Sequence, residues 1–151
     1  MVKAANESTT RGSGTLANRL RPVLLRLARE LRREIHSLGV TGGQVSLLVA
    51  IKSNPGITAR ELADRERISA PGMSGHLVRL EAAELIRRER ASDRRRIGLY
   101  LTEEGDRVLR SVKKKRTAWL ASRLDRLAPA EREAVARALP ALEKLLAEED
   151  E

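Results

Sequence analysis

Between positions 87 and 96 the chain carries six arginines, Arg87, Arg88, Arg90, Arg94, Arg95 and Arg96, against only Glu89 and Asp93. A guanidinium group is a permanently charged planar fork that suits phosphates and narrow grooves. These residues lie on and between two strand-like runs, 85–90 and 97–101, joined by Ala91-Ser92-Asp93-Arg94. That is the pattern of a β-hairpin with a longer loop. Charges this dense cannot enter a core without partners, so the hairpin is expected to face water or a polyanion. The plain alternative is a solvated, arginine-rich hairpin. Strand alternation places Arg94 and Arg96 on one side and Arg95 on the other, relaxing at the loop tip.

A second set of candidates stands just upstream. Ser69 is a helix cap and Pro71 falls in the first turn. Met73, Leu77 and Leu80 form one apolar face of the helix that follows; Pro71, Ser74, Gly75, Val78 and Arg79 form the other. Ser74 and Arg79 can reach phosphates or base edges, and Gly75 lets a backbone approach closely. Arg79, two turns in, suits a phosphate better than a base; a surface ion pair is its alternative. His76 sits at the edge of the apolar face, where packing and contact with DNA or an effector are both open. His36 is read as a cation near a helix C-terminus.

The elements that must position these residues follow from periodicity. Leu16, Leu20, Leu24, Leu27, Leu31, Ile35 and Leu38 make one helical stripe, with Pro22 predicting a kink or a late start and Gly39 a stop. Thr41/Gln44 and Thr58/Glu61 read as capping boxes that open two helices. Asn54-Pro55-Gly56 is a turn. Thr102 caps a long helix carrying Val108, Val112, Trp119, Leu120, Leu124 and Leu127. Pro129 starts a last helix with Val135, Leu139, Leu142, Leu145 and Leu146, and Pro140 is expected to kink it. Two helices joined by a turn at 65–68, then a basic hairpin, make a winged helix-turn-helix. The fold class is mostly α with a small β-hairpin wing, plus a helical dimerisation region. The expected divisions are a disordered tail at 1–14, a dimerisation helix at 15–38, the DNA-binding domain at 39–101 and dimerisation helices at 102–148.

Composition narrows the partner. The chain has 151 residues and a formal net charge of +9, which points to nucleic acid or an anionic surface. No apolar stretch approaches membrane-spanning length, and the first residues lack an apolar signal core, so we expect no membrane association and a cytoplasmic setting. There are no cysteines, which excludes disulfides and thiolate metal sites. Trp119 and Tyr100 are the only aromatics, too few to stack single-stranded bases; duplex DNA is the better polyanion. The terminal helices carry apolar stripes that a winged helix does not need. A second copy of the chain is the simplest cover, and two-fold dimers match palindromic sites. Lys113-Lys114-Lys115-Arg116 reads as a solvated helix face.

The order of elements over residues 15–147 resembles the MarR family of bacterial transcription regulators. The most specific piece is DRRRIGLYLTEEG, similar to the family's wing signature at Asp93, Arg95, Leu101, Thr102 and Gly105; ISAPGMSGHLVRLEAAELIRR is similar to its recognition helix. The resemblance implies that Arg95, held by Asp93, enters a minor groove. It also implies that a small, frequently aromatic or anionic ligand binds between the DNA-binding and dimer regions and releases DNA. Two positions depart from the pattern: Glu84 stands where glycine is frequent, so the helix is expected to end differently, and Gly75 stands where a larger, basic side chain is common. The reading is a homodimeric, sequence-specific regulator of duplex DNA, acting as a repressor on a palindromic operator, with no cofactor. The DNA-binding residues are Ser69, Pro71, Ser74, Gly75, His76, Arg79, Asp93, Arg94, Arg95 and Arg96. An architectural protein that coats DNA is the second reading. An enzyme is the third, and no nucleophile elbow, phosphate loop or paired-histidine motif supports it.

Overall fold

Both expected capping boxes close. In each, a threonine hydroxyl accepts from the third backbone N–H of its helix and the residue there reaches back: Thr41 with Gln44, and Thr58 with Glu61. The computed structural model describes residues 2–92 and 95–147, with side chains from residue 12 onward. Helix α1 spans Val2–Arg33, and a 3₁₀ turn at His36–Leu38 follows, closed by Gly39 at φ 73°. Then come α2 (Gly42–Ser53), α3 (Ala59–Glu66), α4 (Ala70–Ala82), β1 (Ile86–Arg90), β2 (Ile97–Leu101), α5 (Glu103–Leu124) and α6 (Pro129–Lys144).

Two expectations need correction here. Helix α1 runs back to Val2, through the segment expected as a tail, and Pro22 lies inside it rather than at its start. Extending a helix adds one hydrogen bond per residue ordered, whereas only its nucleus is costly; weak helix formers such as Gly12 and Gly14 are carried on that basis. The exit of α4 is the second. Glu84 takes φ 59°, so the chain leaves the helix through the left-handed conformation that glycine favours, with a glutamate in its place.

The core gathers on α2. Leu48, Ile51, Leu62, Leu77, Leu80 and Leu99 are fully buried, together with Ile35 from the segment after α1 and Met73 from α4. Met73, Leu77 and Leu80 are the apolar face assigned to the recognition helix. The hairpin pairs Ile86 with Leu101 and Arg90 with Ile97 in antiparallel register. Ile57, between α2 and α3, bridges to Leu99 as a third, one-residue edge: the Gly56 N–H donates to the Leu99 carbonyl and the Leu99 N–H to Ile57, both at 2.9 Å. A Cβ on Gly98 would stand 2.9 Å from the Gly56 Cα, so glycine there permits this approach.

Helix α6 buries no residue, and α1 exposes Leu16, Val23, Leu24, Leu25 and Leu27. Leu139 on α6 is half exposed. These apolar surfaces are uncovered by any described part of the same chain. No helix among the described residues is long and apolar enough to cross a membrane.

Candidate nucleic-acid interface

Ser69 opens α4 by accepting a hydrogen bond from the Gly72 N–H at 3.2 Å. A Cβ on Gly72 would stand 3.0 Å from that hydroxyl, so the glycine leaves room for the cap. Placing Met73, Leu77 and Leu80 inward turns Pro71, Ser74, Val78 and Arg79 outward, all exposed; Gly75 and His76 are partly buried. Beside Gly75 there is open space, and a Cβ would meet only the Arg79 guanidinium, at 4.0 Å. Val78 is 57% exposed. The middle of this face is therefore low and uncharged, with Ser74 and Arg79 at its margins. His76 Nδ1 lies 3.3 Å from Arg79 Nη2. The histidine is tied to the guanidinium on its own helix, which bears on the choice between packing and contact.

The wing is fixed to this helix. Arg88 on β1 donates to Glu81 on α4 at 2.8 Å. Arg87 donates to Glu89 and to the Leu101 carbonyl, and its guanidinium lies 5.2 Å from the centre of the Tyr100 ring. Arg96 reaches across to Glu61 of α3 at 2.5 Å. Arg87, Arg88 and Arg96 are thus anchored to partners in the fold, which sequence reasoning did not foresee. Asp93 and Arg94 lie outside the described residues; Arg95 is exposed at the loop. The sequence-predicted residues Ser69, Pro71, Ser74, Gly75, His76 and Arg79 therefore share one helix, while Arg95 and Arg96 belong to the adjoining hairpin.

The Leu-Thr-x-x-Gly piece of the wing signature has a structural reason. The Thr102 hydroxyl donates to the Glu84 carbonyl at 2.6 Å and accepts from the Gly105 N–H at 3.0 Å, while the Thr102 N–H donates to the Leu85 carbonyl. One threonine caps α5 and ties it to the exit of α4. Gly105 is buried against the same turn: a Cβ there would stand 2.2 Å from the Leu85 carbonyl oxygen. The signature locks α4, the wing and α5 together.

Two carboxylates are held below their ordinary values. Glu61 is lowered first by the Thr58 backbone N–H and further by the charge of Arg96. Asp106 is lowered first by its hydrogen bond from Lys52, at 2.5 Å, and further by Arg110. That second cluster joins α2 to α5. It borders a cleft of about 480 Å³ lined by Val45, Val49 and Val112 together with Lys52, Arg110 and Arg116. In the basic run on α5, Lys115 donates to the Ser37 hydroxyl and Arg116 to the Leu31 carbonyl. Part of that run secures the helix packing instead of serving only as a solvated face.

Comparison with known proteins agrees with this geometry. A family model described as MarR family matches residues 38–97. The HTH-type transcriptional regulator MT0903.1 of Mycobacterium tuberculosis is 30% identical over 119 residues, covering 78% of this chain and 83% of that one. The HTH-type transcriptional repressor MdtR of Bacillus subtilis is 31% identical over 88 residues, 58% of this chain and 57% of that one. The crystal structure of a Pseudomonas aeruginosa PA01 protein taken to be a transcriptional regulator superposes with a TM-score of 0.80 at 32% identity, covering 91% of this chain and 97% of that one. The chain belongs to the MarR family of winged helix-turn-helix transcription regulators.

Proposed function

We propose that this regulator is a homodimer that binds a palindromic operator in duplex DNA and represses transcription there, with a small-molecule effector controlling release. The observation that carries the reading is the exposed face of α4, low in its middle at Gly75 and edged by Ser74 and Arg79. It is joined by an ion pair to a hairpin rich in arginine. A major groove admits such a helix. Ser74 and the backbone at Gly75 stand nearest the base edges, and Arg79 neutralises phosphate. Arg95 is assigned to the minor groove, the role that the family resemblance implies for it. Repression is supported by the B. subtilis relative, whose name carries that role.

The dimer is supported by the apolar side chains of α1 and α6 that the chain leaves exposed. Light scattering is expected to return twice 16.8 kDa. For the effector, the cleft between α2 and α5 has a ligand-sized volume, apolar side chains in its lining and four cationic ones, Lys52, Arg110, Lys113 and Arg116. An amphipathic anion fits that chemistry. By bridging the DNA-binding helices and the long α5, such a ligand favours a dimer geometry whose recognition helices miss successive grooves.

The test is a pair of binding isotherms, one on an operator selected from a random duplex pool and one on a scrambled duplex, at matched salt. A ratio of roughly 10³ or more is expected of an operator binder. A ratio near one supports instead the second reading, an architectural protein that coats DNA, which the open space at Gly75 and the basic wing would also permit.

A further inference from the structure

Arg96 and Glu61 stand 35 positions apart, yet their side chains meet at 2.5 Å. Glu61 is not a spare surface acid. Its other oxygen accepts from the Thr58 N–H at 2.9 Å, completing the cap of α3. One carboxylate thus holds the first turn of the helix-turn-helix with one oxygen and the base of the wing with the other. Arg96 is well placed to transmit that hold: its carbonyl accepts from the Ala91 N–H at 2.8 Å, the bond that closes the wing loop. The neighbouring backbone is firm too, because Ile57, one residue before Thr58, is bridged to Leu99.

We infer that Arg96 is a positioning residue, held by Glu61 as a strut that sets the angle of the wing against α3, and that it does not serve as a phosphate contact. The inference rests on the DNA-binding reading above, and it moves Arg96 from the contact list to the support. Two consequences separate a strut from a contact. A phosphate contact would be hindered by a neighbouring carboxylate, so removing the acid would tighten binding. A strut needs the acid, so removing it weakens binding. A lost phosphate contact also flattens the plot of log affinity against log salt by about one unit, and a lost strut leaves that slope alone.

The variants are Glu61→Gln, Arg96→Gln and the two combined, in the full-length protein. Glutamine at position 61 keeps the cap, since Gln44 performs the same role on α2; α3 therefore stays folded. Each is titrated on the selected operator and a scrambled duplex across a salt series. Without DNA, hydrogen exchange is followed at the Ala91 amide. Both single variants should weaken operator binding by roughly 2- to 5-fold, the scale of one exposed ion pair. The double variant should be no worse than either, the slopes should match wild type, and the Ala91 amide should exchange faster in all three. Tighter binding by Glu61→Gln, a slope flattened by Arg96→Gln, or unchanged exchange at Ala91 would overturn the strut. If wild type itself binds neither duplex, the DNA reading fails, and the exchange measurement still judges the strut.

Discussion

Replacing Gly105 by alanine probes the joint between the DNA-binding unit and α5. The new methyl group would stand 2.2 Å from the Leu85 carbonyl oxygen, 2.9 Å from Leu101 Cδ1 and 3.0 Å from Leu101 Cγ. The side chain of Leu101 can turn away; the carbonyl cannot. It accepts from the Thr102 N–H at 3.1 Å, and Leu85 and its neighbour Ile86 are both buried. Relief requires α5 to lift off the exit of α4, breaking the Thr102 bonds to Glu84 and Leu85. Overpacking of a tight site is destabilising by typically 1–3 kcal/mol, and a backbone obstacle puts this case at the upper end, about 3 kcal/mol. For a chain of this size that lowers Tm by roughly 6–12 °C. The control is Gly75→Ala, which fills open space on α4 and should add about 0.5–1 kcal/mol by replacing a flexible helical glycine. Urea unfolding at one fixed protein concentration, followed by circular dichroism, compares the three proteins. If Gly105→Ala unfolds with wild type, the locked joint at Thr102 and Gly105 is wrong.

Glu84→Gly should raise stability by up to about 1 kcal/mol in the same urea assay, because the left-handed conformation costs a glutamate more than a glycine; a loss would mean that the Glu84 side chain contributes something its geometry does not show. Arg79→Ala should weaken operator and random DNA alike and flatten the salt dependence by about one unit, whereas Ser74→Ala should weaken the operator more with the slope unchanged; equal effects of the two on slope would refute the division of roles. The lowered Asp106 carboxyl contributes stability that is present above its ordinary value of 3.8 and is lost as the pH falls through the depressed folded value. Urea midpoints in acid should therefore fall more steeply for wild type than for Asp106→Asn, and parallel curves would show that Lys52 and Arg110 do not hold the group.

Much of the framework was legible because its signals are local. Caps at Thr41, Thr58, Ser69 and Thr102 act within three residues of themselves, and so a short window of sequence contains the donor, the acceptor and the reason. The inward face of α4 was legible from period alone, since Met73, Leu77 and Leu80 recur at helical spacing. The partners of the wing arginines were not. Glu81 lies seven positions from Arg88 and Glu61 lies 35 from Arg96; only the packed fold brings them together, and any of several acids would have served as well on paper. The same holds for Lys115 with Ser37, 78 positions apart. Glu84 misled for a different reason. Its type argues against the left-handed region, but the chain must turn there so that Leu85 and Ile86 can enter the core, and tertiary packing outweighs a local preference of 1–2 kcal/mol.

The central claim is that the exposed face of α4 enters the groove, and Gly75 tests it most directly. Gly75→Leu places a bulky side chain in the open space on that face while leaving Met73 and Leu77 untouched, so the fold should be retained or slightly stabilised. A footprint of wild type on its selected operator should protect two half-sites one helical turn or a multiple of it apart. The folded Gly75→Leu protein, confirmed by its unfolding curve, should lose that footprint while still binding random duplex through its arginines. A Gly75→Leu protein that protects the operator as wild type does would show that another face reads the DNA.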